Sequence, residues 1–115
     1  MKKSFFLTYV SKLQPIKLVE IFEKKFDMNF IEHSSSYLGD YYAHQGVFCD
    51  SFKILNNILP DGEFEIDDSE IVTIMKLGFF NGKNKEKQSK TEYMKKQLDL
   101  MEDLKMYSYD VFDEN

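Results

Sequence analysis

Four residues in one stretch, His33, His44, Cys49 and Asp50, have the types that ligate metals or attack as nucleophiles. Eleven positions separate His33 from His44, and five separate His44 from Cys49. Neither interval matches a zinc-ligand pattern. With a strand placed over residues 37–43, the two histidines flank it at opposite ends, roughly 30 Å or more apart at strand rise. A shared metal is then hard to build. Cys49 falls inside a predicted strand, with no helix N-terminus or cation to lower its pKa, and reads as a packed core thiol. No G-x-S-x-G, G-x-G-x-x-G or Walker pattern occurs, and the five glycines are scattered. The expectation is a protein that is not an enzyme, with no catalytic, metal or cofactor site.

A denser constellation is acidic. Asp61, Glu63, Glu65, Asp67, Asp68 and Glu70 put six acids in ten residues. A calcium loop needs glycine at its sixth position, and Ile66 stands there. A glycosidase-type acid pair needs an apolar pocket to raise one pKa, and none is signalled. Two readings remain. The acids form a solvated loop and edge strand whose charges deter pairing, or they form a docking face for a basic protein. Nearby, Asp40, Tyr41 and Tyr42 with Tyr37 make an aromatic strand. Tyrosine offers contact area at low entropic cost, although strands favour tyrosine for packing as well. The lysines between 83 and 96 read as a solvated loop and helix face.

The charge balance points the same way. Twenty acids face fifteen bases, a net charge of −5, and every base is lysine. Arginine, the usual bidentate partner of phosphate and guanine, is absent. Both facts argue against a nucleic-acid binder; the acidic charge steers toward basic partners or serves solubility alone. The single cysteine excludes an internal disulfide and fits a reducing compartment. The apolar run Phe5-Phe6-Leu7 is too short for a signal peptide or a membrane span. A cytoplasmic protein with no membrane partner is expected, and its oligomeric state is open.

These residues must be positioned by a single domain, 1–115. Its 43% hydrophobic content, with eleven Phe and seven Tyr, suffices for a core. Strands are predicted over Ser4–Val10, Met28–Glu32, Tyr37–Ala43, Val47–Leu55, Glu63–Ile66, Ile71–Phe80 and Met106–Phe112, with a free end from Asp113 to Asn115. The near-continuous apolar run at 71–80 predicts a central strand, and Gln45-Gly46 predicts a hairpin between the third and fourth strands. Leu18, Val19, Phe22 and Phe26 form a helical stripe behind Pro15. Met94, Leu98, Met101 and Leu104 or Lys105 form a second stripe, with Ser89 and Glu92 spaced as a capping box. The order β-α-β-β-(β-β)-α-β predicts an α+β fold. It is an elaborated ferredoxin-like arrangement, a mainly antiparallel sheet with two amphipathic helices on one face.

The stretches Tyr37-Leu38-Gly39-Asp40-Tyr41-Tyr42, Gly46-Val47-Phe48-Cys49-Asp50 and Asp61-Gly62-Glu63 resemble the small acidic immunity proteins of bacterial contact-dependent growth inhibition and related polymorphic-toxin systems. The resemblance implies a cytoplasmic inhibitor that binds a cognate toxin domain, such as a basic nuclease, and blocks it by protein–protein contact. The residues expected at the interface are the six acids at 61–70 with Asp40, Tyr41 and Tyr42. A phage- or plasmid-borne regulator that binds a host protein, or a small-ligand sensor domain, are the alternatives.

Overall fold

The computed structural model describes residues 1–114. Six strands form one sheet in the order β2-β3-β4-β5-β1-β6. They are β1 (Lys2–Ser11), β2 (Ile31–Ser35), β3 (Gly39–His44), β4 (Ser51–Asn56), β5 (Thr73–Phe79) and β6 (Leu104–Glu114). Every neighbouring pair is antiparallel. Helix α1 (Pro15–Phe26) follows β1, and α2 (Asn84–Asp99) carries the chain from β5 across β1 to β6. That last connection is the split β-α-β step of the expected α+β class.

α1 starts where Pro15 occupies the first turn and the Gln14 carbonyl accepts the Leu18 N–H. Proline loses nothing there, since its missing N–H would have been an orphan. The helix stops at Asp27, in the left-handed region with φ 54°. Leu18, Val19 and Phe22 are buried on its sheet-facing side. Phe22 meets the Phe52 ring edge-on at 5.2 Å between centroids, and Phe30 meets the same ring at 5.2 Å. Such pairs add to the transfer free energy of the buried rings.

α2 begins earlier than a capping box at Ser89 predicts. Asn84 Oδ1 accepts the Lys3 N–H at 2.9 Å, and its Nδ2 donates to the Met1 carbonyl at 2.6 Å. The helix start is thus tied to β1, and Lys83 at the N-cap makes no side-chain cap. At the other end, Tyr9 donates from its hydroxyl to Asp99 Oδ1 at 2.7 Å. Asp99 also accepts from Lys95 at 2.8 Å. Lys95 first, and Tyr9 after it, hold the Asp99 carboxyl below its usual range against the opposing effect of burial.

The central position expected of the 71–80 segment is met by β5, which lies between β4 and β1. Met75 and Ile74 point to opposite faces, yet both are fully buried. Helices cover the Met75 face, where Phe5, Leu7, Tyr9, Phe52 and Ile54 also lie. The Ile74 face, shared with Val10 and Leu55, is covered by the chain between β4 and β5.

Several expectations are corrected. Glu63–Ile66 is not a strand; only an isolated Ile58–Phe64 bridge forms there. Gly62, at φ 89°, and side-chain turns at Asp61 and Asp68 divert the backbone from extension. Residues 47–50 are a loop, so Cys49 is not in a strand. Asp113 and Glu114 belong to β6 instead of a free end, opposite Lys3 and Lys2; Asn115 lies outside the described residues. Lys87 does not belong to a solvated helix face. It is 1% exposed, on the buried stripe with Thr91, Met94 and Leu98, and its Nζ has no hydrogen-bond partner.

A buried polar nitrogen without a partner costs stability that a methionine of similar length does not. Lys87→Met is therefore expected to raise unfolding stability by about 1–2 kcal/mol, read from the urea midpoint. A loss of that size would show that the amine is paired in solution.

Candidate protein-binding surface

The six acids at 61–70 sit on a compact lobe formed by residues 57–72. Its organiser is Asn57, fully buried at the end of β4. Asn57 Oδ1 accepts the Ile66 N–H at 2.8 Å. Its Nδ2 donates to the carbonyls of Ile66, Asp68 and Ile71 at 3.0, 3.2 and 3.0 Å. The Asn57 backbone bonds Val72 and Glu65 at 2.9 and 2.8 Å. One side chain thus bonds four backbone groups of a segment that has no sheet ladder of its own, beside turn bonds such as Leu59 N–H to Glu63 and Ile71 N–H to Asp68. Pro60 lies over Gly39, where φ is 76° and a Cβ would come within 3.4 Å of the proline ring. Val72 donates to the Ser11 carbonyl at 3.0 Å. The lobe is therefore anchored to the body of the sheet at several points.

The acids divide by what they touch. Asp61 accepts the Glu63 N–H and Asp68 accepts the Glu70 N–H, at 2.9 and 3.0 Å. Glu65 pairs with Lys76 at 3.8 Å. Among the described residues, Glu63, Asp67 and Glu70 make no such side-chain contact and face solvent. Two apolar side chains missed in the sequence stand with them: Ile58 is 55% exposed and Phe64 40%. Phe64 is an apolar residue inside the acidic run, where alternation reads as a half-buried strand; Ile58 precedes the run, between Asn57 and Leu59. A cleft of about 730 Å³ opens beside the lobe, lined by Asp67, Asp68 and Glu70 on one side and Lys105 and Tyr107 on the other.

Tyr41 and Tyr42 are not brought together. Tyr41 shares the lobe's side of the sheet, stacked on His33 at 5.3 Å and with Lys53 Nζ 5.8 Å from its ring centroid. Tyr42 points to the helix side and packs against the core. Burial, then Glu32 and Asp40, raise its phenol pKa. Asp40 is exposed and accepts from Ser34 Oγ. Only Tyr41 can share a surface with the acidic lobe.

The histidines are closer than expected. Pairing of β2 with β3 folds the chain back, and His33 and His44 line one cleft of about 480 Å³. His44 Nδ1 is 2.8 Å from the Asn29 carbonyl, and His33 is held against Tyr41. Among the described residues no group of three or more His, Cys, Asp or Glu could hold a metal ion. Burial, then Asp50, pushes the Cys49 thiol up to about 12, opposed by Lys90. Asp50 instead accepts the Phe80 and Asn81 N–H groups at 2.7 and 2.8 Å, which ties the end of β5 to the loop. No described helix is long and apolar enough to cross a membrane. No family model matches the chain, and no significantly similar curated protein is found.

Two outcomes follow. Asn57→Ala orphans several backbone groups and is expected to cost about 2–4 kcal/mol, with amide exchange rising across residues 58–71. Exchange that stays slow there would show that the lobe holds without this amide. Cys49 is expected to resist iodoacetamide at pH 8 in the folded chain, since its thiol is buried and held protonated, and to react on unfolding in urea. Rapid labelling of the native protein would contradict the burial.

Proposed function

We propose that the chain is an immunity-type inhibitor, which binds a basic toxin domain and neutralises it by protein–protein contact. The observation that carries this reading is the anchored acidic lobe. Glu63, Asp67 and Glu70 project unpaired from a backbone held by Asn57, beside the exposed Ile58 and Phe64. A surface fixed before binding loses little entropy on association. Unpaired carboxylates on such a surface steer a cationic partner from a distance. Apolar side chains within the charged rim supply the short-range contact. The sequence resemblance described above supplies the toxin as partner. Tyr41 can reach the same surface, and Tyr42 has no part in it.

Affinity capture from the native host with mass spectrometry is expected to recover a basic domain. Expressed alone, that domain should arrest growth, and co-expression with this chain should restore it. An acidic partner, or an arrest that the chain does not relieve, sinks the reading. On the recovered complex, Glu63→Lys with Asp67→Lys and Glu70→Lys is expected to slow association about tenfold at low salt and to flatten its salt dependence. An unchanged on-rate would reject the lobe as the steering face.

A further inference from the structure

The cover that the lobe gives the sheet stops at the row of Leu55, Ile74 and Val10. One row further along the same face, Lys53 on β4 stands directly opposite Lys76 on β5, and Thr8 on β1 follows. The next row is Ser51, Gly78 and Phe6. A depression of about 340 Å³ opens over these two rows, with Lys53 and Lys76 toward one end and Phe6 and Phe80 toward the other. Gly78 lies between the rings. A Cβ there would come within 3.1 Å of the Phe80 ring and 3.2 Å of the Phe6 ring.

Like charges directly opposite on adjacent strands oppose the pairing of those strands. Here they occur in a chain with twenty acids and fifteen bases, and neither ammonium is well compensated. Lys76 reaches Glu65 at 3.8 Å, a partly exposed pair that contributes little. Among the described residues Lys53 has no ion pair, and its Nζ lies 5.8 Å from the Tyr41 ring centroid. Two further acids come near this part of the sheet, and neither lines the depression. Asp50 accepts the Phe80 and Asn81 N–H groups, and Asp110 stands opposite Phe6 on the β6 side.

The walls select the ligand. Two neighbouring ammonium groups attract one multiply charged anion, and lysine meets phosphate as a point charge. The hydroxyls of Thr8 and Ser51 line the same depression and can donate to phosphate oxygens. The rings of Phe6 and Phe80 offer contact to a flat base. The volume is at the small end for ligand sites, so it suits one such unit. The net charge and the absence of arginine weigh against a polyanion. They do not weigh against a single phosphate held by a local pair of cations.

The geometry points to this depression as a binding site for a nucleoside monophosphate, its phosphate between Lys53 and Lys76 and its base against Phe6 and Phe80. The site lies beyond the acidic lobe and does not depend on the inhibitor reading.

The test is a titration of the intact, isotope-labelled chain with adenosine monophosphate at low salt, followed by amide chemical shifts. The shifts are expected to centre on Phe6, Ser51, Lys53, Lys76 and Gly78. Adenosine and inorganic phosphate, which each engage one wall, are expected to bind about tenfold more weakly or worse. Lys53→Gln and, separately, Lys76→Gln are expected to weaken the nucleotide about tenfold. Lys53→Gln should leave the melting temperature unchanged or raised, because it removes the like-charge pair, and Lys53→Arg should restore binding. Phe6→Leu is expected to reduce the advantage of the nucleotide over inorganic phosphate. The inference is overturned by shifts that are absent or confined to the lysines between 83 and 96, by equal binding of inorganic phosphate, or by undiminished binding in both glutamine variants. A melting temperature that falls in both glutamine variants would assign the lysines to the sheet and count against the site. An oligonucleotide of about six nucleotides that binds more tightly than the monophosphate would mark a nucleic-acid surface and overturn the choice of ligand.

Discussion

The side chain of Asn57 is the constraint on which the second face of the sheet depends. β5 is buried on both sides, so something other than the two helices must cover Ile74, Val10 and Leu55. The cover is a segment with six acids in ten residues. It has no sheet ladder to satisfy its amides, and turn bonds such as Leu59 N–H to Glu63 and Gly62 N–H to Leu59 cover only some of them. One buried amide supplies what the segment lacks, by bonding four backbone groups at Ile66, Asp68 and Ile71. Mutual repulsion of the carboxylates opposes that compact form. The bonds to Asn57, the turns at Asp61 and Asp68 and the Glu65–Lys76 pair act in the opposite direction. The same polar network that closes the core on this side thereby fixes the acids that face outward.

This division explains what was legible in the sequence. Elements defined by apolar period were: the stripe of α1, the central place of β5 and the α+β class rest on residues such as Phe22, Phe52 and Met75, whose burial follows from their type, and the β3–β4 hairpin was marked by the turn residues Gln45 and Gly46. Features defined by single polar contacts were not. Asn57-backbone bonds turn a segment of strand-like alternation into a lobe. Asn84 bonds to β1 start α2 ahead of its apparent cap. The burial of Lys87 depends on where α2 lies over β1, which no periodicity reports. The distance between His33 and His44 was misjudged because strand rise was counted along one strand, whereas the β2–β3 turn returns the chain to the same edge.

The candidate surface shows the same split. The acidic run was visible as composition, but composition does not distinguish an Asp that caps a turn from a Glu that meets solvent. Asp61 and Asp68 have structural work, Glu65 has a lysine, and Glu63, Asp67 and Glu70 remain outward. Tyr41 and Tyr42 are neighbours in the chain, and period-two geometry alone sends them to opposite faces. The helix-side partners of β3 then decide which of them is withdrawn: Tyr42 lies opposite Ile54, in the core.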